Sequence, residues 1–151
     1  MMRNDGLQRW AIVPLRVMVG VGFVAHGYAK WHRGPAGFAK LLQQIHVPLP
    51  LPTAWAVTGL ELFGGLALIA GLGVTLVSVP LIASMLVAMF QVQLRYGFSS
   101  VNTIGLTPAG PVFGPPGYEI NLLYIISLTT IAILGPGPLS LRMVRRRVDG
   151  G

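Results

Sequence analysis

Four long apolar blocks constrain what this sequence can fold into. Each runs 17 to 21 residues with very few charges, and together they cover Trp10–Ala29, Ala54–Leu72, Val74–Leu94 and Tyr118–Leu134. A helix that crosses the roughly 30 Å hydrocarbon core of a membrane needs about 20 apolar residues, because each residue advances the helix by about 1.5 Å. The blocks therefore predict four transmembrane helices.

The composition argues against a soluble domain in addition to these helices. The chain is 53% hydrophobic and 10% charged, whereas soluble domains carry about 25% charged residues to cover their surface. The blocks already account for half of the chain and leave no room for a separate soluble domain. We therefore predict an all-α fold, a four-helix membrane bundle that forms a single membrane domain over residues 1–151.

The two outer connections differ in character. After the first block, apolar residues recur at helical spacing opposite polar ones, which predicts a short amphipathic helix in the membrane interface: Phe38, Leu41, Leu42 and Ile45 against Lys40, Gln43 and Gln44. The prolines of segment 48–52 are predicted to end this helix and lead into the second span. Segment 97–117, rich in Gly and Pro, is predicted to be a non-helical outer loop, either a lid over a binding site or a plain connector.

The basic residues predict the orientation of the chain. The net charge is +7, and six of the basic residues lie on the side of the two termini, namely Arg3, Arg9, Arg142, Arg145, Arg146 and Arg147. The outer connections carry Lys30, Arg33, Lys40 and Arg95. Because cytoplasmic segments are enriched in Lys and Arg, both termini are predicted to be cytoplasmic and to contact anionic lipid. This placement beside spans argues against nucleic acid as a partner.

Ionisable residues inside the spans are the strongest indication of a site. Two of the four acidic residues, Glu61 and Glu119, fall within predicted spans, where a charge at the helix centre costs about 2.5–3.5 kcal/mol. Helix rise places both of them and His26 in the outer half, with Arg16 about 15 Å deeper on the first helix. The predicted outer-leaflet pocket therefore contains His26, Glu61, Glu119, Arg16, Lys30 and Asn121.

Each of these residues also has a structural interpretation. Arg16 is expected to extend toward Glu61, and such an ion pair could serve only to hold two helices together. Glu119 could be an interfacial carboxylate at a helix start, where the helix dipole favours it. His26 alone could be a hydrogen-bonded structural histidine. Small residues on the first two spans, Gly20, Gly27, Gly64 and Gly65, predict that these helices approach closely.

Three segments of the chain resemble the DoxX family of small bacterial membrane proteins. They are Arg16 with Gly20–Lys30, then Glu61–Leu72, and finally Gly117–Tyr124 with the closing run Gly135–Leu141. The resemblance implies a four-helix bundle in the bacterial cytoplasmic membrane, in a group linked to quinone and sulfur oxidoreduction and to redox-stress enzymes. One position departs from the family, because Arg142 follows Ser140-Leu141 where relatives often have Asp.

Three functions are compatible with these observations. The first is a membrane subunit of a quinone-linked oxidoreductase, in which His26 and Glu61 bind or protonate quinone oxygens, Arg16 orients Glu61, and Glu119 relays protons. With no cysteine for iron–sulfur ligation and no dinucleotide fingerprint, the chain has no intrinsic cofactor and no predicted metal site, so it needs a soluble or membrane oxidoreductase partner. Whether it is itself an enzyme stays open.

The other two functions involve no chemistry. One is a binding or carrier module that holds a small molecule or anion, with Arg16 and Lys30 as cationic ligands and with a homo-oligomer as the expected form. The other is a membrane anchor or assembly factor whose ion pairs serve only packing.

Overall fold

The computed structural model describes residues 5–140, with side chains from residue 10 onward, and it is built mainly of apolar helices. In chain order they are α1 (Asp5–Arg33), α2 (Pro35–Gln44), α3 (Pro50–Ala70), α4 (Val74–Ala88) and α5 (Glu119–Leu134). The predicted helical membrane fold is confirmed, with α2 as the short helix between the first two spans. The basic residues used to predict orientation at positions 3 and 142–147 lie outside the described residues.

Three helical segments within the described part of the chain are long and apolar enough to cross a membrane. They are Trp10–Arg33, Pro50–Ala70 and Val74–Tyr96. The third segment is not a single α-helix. Helix α4 passes into a π-helical turn at Met89–Gln93 and then into a 3₁₀ turn at Leu94–Tyr96. The fourth apolar helix, α5, has 16 residues, just below the range of about 17–25 residues that is usual for a span.

The ends of two spans follow from proline and glycine chemistry. The second span was predicted to begin after the proline run, at Ala54, but α3 begins inside it at Pro50. Proline is tolerated in the first turn because the backbone N–H groups there have no helical acceptor. The fourth apolar helix, α5, ends at Leu134, as predicted, because Gly135 adopts a φ of 78° that favours glycine.

Close approach of α1 and α3 forms the centre of the bundle. A Cβ atom added to Gly20 would lie 2.7 Å from the carbonyl oxygen of Gly65, and one added to Gly27 would lie 2.8 Å from the backbone nitrogen of Leu62. These contacts confirm the predicted small-residue face. Gly64 instead faces α4, where Val77 is its nearest neighbour. Contacts between α4 and α5, α3 and α4, and α1 and α5 complete the bundle.

The bundle has two distinct ends. Helix α2 and the segment between α4 and α5 lie at one end, called here the loop end. The start of α1, the short α3–α4 link and the end of α5 lie at the other, called here the terminal end. Ala39 and Leu42 of α2 are buried against Ala54 at the start of α3, whereas Lys40 is exposed. The predicted amphipathic helix is thus confirmed.

The segment between α4 and α5 is not helical, as predicted, but it is more regular than a plain loop. Strands β1 (Thr103–Thr107) and β2 (Gly110–Phe113) pair antiparallel as a hairpin, with an irregularity between Thr103 and Gly105. The hairpin was not predicted, because the segment is rich in Gly and Pro and both residues are unfavourable in strands.

Candidate functional site

A buried ion pair joins α1 and α3 near the loop end. Lys30 in the last turn of α1 donates through Nζ to Oε2 of Glu61, which lies at the middle of α3. The Glu61 side chain is only 3% exposed and that of Lys30 is 24% exposed. Lys30 also lies over the ring of Phe38 on α2, 5.1 Å from its centroid. Through this one ammonium, α1 contacts both α3 and α2.

A cavity of about 510 Å³ lies beside this pair. Residues of all five helices line it, and one wall is formed by Phe38, Leu41 and Leu42 of α2 together with Ile45, which follows α2. The lining is largely apolar, and the polar side chains in it are few: His26, Lys30, Thr53, Glu61, Ser84, Gln93, Asn121 and Tyr124. An apolar pocket with a few convergent polar groups is the usual form of a small-molecule site.

Two side chains that line the cavity carry an amide oxygen with no hydrogen-bond partner among the described residues. Asn121 on α5 is 2% exposed, and its Nδ2 donates to the carbonyl oxygen of Met85 on α4 at 3.4 Å. Its Oδ1 is buried and unpartnered, as is Oε1 of Gln93 in the π-helical turn. Buried polar atoms are nearly always hydrogen-bonded, so these two oxygens mark a place where a donor is missing.

A second, smaller cavity shares part of this wall. It has a volume of about 400 Å³ and is lined by three cationic or titratable side chains, those of His26, Lys30 and Arg33, together with parts of α2. His26 and Lys30 border both cavities. His26 is exposed and lies edge-on to the Tyr124 ring, with 6.1 Å between centroids.

The structure does not bring Arg16 to this site, and the prediction that it pairs with Glu61 is wrong. Arg16 lies at the terminal end, where its Nη1 donates to the carbonyl oxygen of Pro136 and its Nη2 donates to those of Ile69 and Leu139, both at 3.3 Å. Its side chain is almost fully buried. It therefore connects the end of α3 to the segment that follows α5.

The direction of helical side chains explains this difference. Side chains in a helix tilt toward its N-terminus, so both Arg16 and Lys30 point toward the start of α1. Arg16 is thereby directed away from Glu61, whereas Lys30 is directed toward it. Because α3 runs antiparallel to α1, Glu61 tilts back toward the loop end and meets Lys30. Helix C-terminal carbonyls, such as that of Ile69, then provide acceptors for the guanidinium.

Glu119 also lies outside the cavity lining. It is the first residue of α5, and its Oε2 accepts a hydrogen bond from the backbone N–H of Ser100 at 2.9 Å. This geometry fits the alternative considered above, a carboxylate at a helix start. Asn121, two residues further on, does line the cavity, because successive helical positions face different directions. The segment 97–117 contributes no lining residue to either cavity, so α2 and not the hairpin covers the site.

Tyr124 lines the cavity but was not among the predicted site residues. It lies one turn after Asn121 on the same face of α5. Its hydroxyl occupies the space above Gly22, where a Cβ atom would come within 1.8 Å of it. Spacing of three residues from Asn121 was the available signal. Met85 also lines the cavity, whereas the neighbouring Met89 is buried and does not.

Comparisons with known proteins gave one match. The model of the DoxX family matches residues 11–94, which is more than half of the chain and spans α1 to the π-helical turn. The matched region includes Lys30, Glu61 and Gln93, while Asn121 and Tyr124 lie beyond it. No curated protein and no solved structure matches the chain.

Proposed function

Because the chain belongs to the DoxX family and is a multi-pass membrane protein, we propose that it is the membrane subunit of a quinone-linked oxidoreductase. In this proposal the cavity beside Lys30 and Glu61 binds the quinone. We further propose that the protein lies in the bacterial cytoplasmic membrane with both termini in the cytoplasm. Electrons come from a partner subunit that carries its own redox group.

The observation that carries this proposal is the cavity of about 510 Å³ with an ion pair in an otherwise apolar wall. Its volume lies within the range of about 300–1,000 Å³ that is typical of small-molecule sites. A quinone ring is flat and apolar with polar oxygens at its edge, so it needs an apolar slot with a few hydrogen-bonding groups. The ammonium group of Lys30, which borders the cavity, provides hydrogen-bond donors for such an oxygen.

The roles of the side chains follow from their positions. A bound quinone accepts two electrons and two protons when it is reduced. Lys30 keeps two ammonium protons beyond the one given to Glu61 and can donate to an oxygen of the ring. His26 borders both cavities and is exposed, so it can carry protons between solvent and the site. Lys30 replaces Arg16 as the partner that orients Glu61, and Glu119 takes no direct part.

The test is quinone content after mild purification from native membranes. We expect extracts of the wild-type protein to contain quinone in near-stoichiometric amount, together with a co-purifying redox protein. In Ala88→Phe a ring fills the cavity, since Ala88 lines it, and the quinone content should fall at least tenfold. Val79→Phe is the matched control, because Val79 is 62% exposed on the same helix and is not a lining residue.

Two results would reject the proposal. One is a wild-type protein that contains only phospholipid and does not take up a short-chain quinone when it is supplied. The other is an Ala88→Phe protein that retains as much quinone as the Val79→Phe control.

A second candidate function rests on the smaller cavity. Lys30 and Arg33 give its wall positive charge, and His26 adds a polar ring beside them. Such a wall would suit a small anion held without chemistry, as in a binding or carrier module. In this case a polyatomic anion would raise the thermal stability of the protein, and Arg33→Gln would abolish that effect while leaving quinone content unchanged. If no anion raises the thermal stability, this candidate function is ruled out.

A further inference from the structure

We propose that the cavity beside Lys30 and Glu61 selects the reduced, hydroxyl-bearing form of its ligand, a hydroquinone, over the quinone. This inference rests on the proposed function and adds the redox state that the site recognises. It depends on the two unpartnered amide oxygens, Oδ1 of Asn121 and Oε1 of Gln93.

The first unpartnered oxygen belongs to the amide of Asn121. Asn121 is 2% exposed, and its amide is oriented by Met85, since Nδ2 donates to the Met85 carbonyl at 3.4 Å and lies 3.9 Å from its sulfur. Both of these neighbours accept, so the amide nitrogen belongs on that side. The oxygen is then left with no donor among the described residues, in a side chain that lines the cavity. A ligand that supplies an O–H group would satisfy it.

Gln93 carries the second unpartnered amide oxygen, on a neighbouring element. It is the last residue of the π-helical turn Met89–Gln93, and its Oε1 is likewise buried and unpartnered. Short π-helical turns in α-helices are frequent at functional sites. Gln91, in the same turn, is exposed and does not line the cavity. The turn therefore presents one of its two glutamines to the site.

The two redox forms of the ligand differ in what they can offer these oxygens. A quinone oxygen only accepts hydrogen bonds, so it can bind Lys30 but leaves the oxygens of Asn121 and Gln93 without a donor. A hydroquinone hydroxyl donates one hydrogen bond and still accepts others. A site with buried groups placed for a hydroxyl discriminates strongly against an analogue that lacks it. We expect the hydroquinone to bind at least tenfold more tightly than the quinone.

This preference has a consequence for electron transfer. By linkage, tighter binding of the reduced form raises the midpoint potential of the bound couple, by about 30 mV for each tenfold ratio of affinities in a two-electron reaction. The site would thus make the bound quinone a better acceptor for two electrons and two protons from the partner subunit.

The experiment compares three ligands with one carbon skeleton, measured on the full-length protein in lipid nanodiscs under anaerobic conditions. They are a short-chain benzoquinone, its hydroquinone and the dimethyl ether of that hydroquinone, which has no O–H donor. We expect the hydroquinone to have a dissociation constant at least tenfold below those of the other two. Asn121→Leu and Gln93→Leu should each reduce this ratio while changing quinone affinity less than threefold, and Gln91→Leu should leave it unchanged.

The outcomes separate this inference from the proposed function. Equal affinity for all three ligands, or a ratio that survives both Asn121→Leu and Gln93→Leu, would overturn redox-state selection and leave quinone binding in place. Failure of the wild-type protein to bind any of the three would overturn both. Because Gln93 is only partly buried, Gln93→Leu provides the test even where Asn121→Leu does not fold.

Discussion

Removing either member of the Lys30–Glu61 pair should have unequal effects on stability. Loss of one partner of a buried ion pair typically costs about 3–5 kcal/mol, because the other charge is left uncompensated. Glu61 is 3% exposed and has a short side chain, whereas Lys30 is 24% exposed on a long flexible stem. In Lys30→Met the buried carboxylate has no other partner among the described residues, so we expect the free energy of unfolding to fall by about 3–4 kcal/mol.

Glu61→Gln should be milder. The freed ammonium of Lys30 lies near the loop end and can extend toward the membrane surface, as lysine side chains near helix ends do. We expect a loss of about 1–2 kcal/mol, since the glutamine can still accept a hydrogen bond. The double variant Lys30→Met/Glu61→Gln leaves no unpaired charge, so it should be about as stable as Glu61→Gln. The coupling energy of the cycle is then about 3–4 kcal/mol, the loss expected for Lys30→Met alone.

Equilibrium unfolding in mixed micelles with increasing denaturing detergent would measure these values. Lys40→Met is the matched control, because Lys40 is an exposed lysine on α2 and its loss should change stability by no more than about 0.5 kcal/mol. Equal losses in the two single variants would refute the argument from exposure. A double variant whose loss equals the sum of the singles would show that the pair has no energetic coupling.

Three further predictions concern other parts of the bundle. Gly20→Ala should cost about 1–3 kcal/mol of unfolding free energy, because its Cβ would lie 2.7 Å from the Gly65 carbonyl oxygen, whereas Gly59→Ala, with 3.9 Å of clearance, should be neutral or stabilising in the same assay. Arg16→Lys should cost about 2 kcal/mol, since one ammonium does not match the planar fork that reaches three carbonyls; an unchanged unfolding midpoint would contradict this. Asn121→Leu should raise the stability of the ligand-free protein by about 1 kcal/mol, because it removes a buried unpartnered oxygen; a lower unfolding midpoint without ligand would show that this oxygen is satisfied.

The sequence predicted the bundle because hydropathy and length decide membrane helices almost alone. The same holds for α2, whose apolar and polar positions alternate at helical spacing, and for the Gly20–Gly65 contact, since small residues permit close helices. Boundaries shifted where local chemistry allowed extension, as at Pro50. These features depend on composition and period, which a sequence displays directly.

The site was harder to predict because it depends on side-chain direction. Arg16 and Lys30 lie on one helix and both could reach Glu61 by depth alone. Only the tilt of helical side chains toward the N-terminus decides between them. Glu119 and Asn121 were grouped by depth, although positions two residues apart on a helix point in different directions. In the structure Glu119 bonds to Ser100 and Asn121 lines the cavity. Tyr124 went unnoticed because a tyrosine near a membrane interface is common.

The two cations of α1 that make contacts inside the bundle, Arg16 and Lys30, differ in a way that bears on function. The two terminal nitrogens of Arg16 donate to backbone carbonyls at the end of α3 and in the segment after α5, so its role is explained by the fold itself. Lys30 needs a second costly residue, Glu61, and the pair lies beside a cavity rather than within packed helices. Well-packed apolar residues could replace such a pair without loss of stability, and often with a gain. The fold therefore gives no reason to keep Lys30 and Glu61, whereas a ligand with polar oxygens in that cavity does.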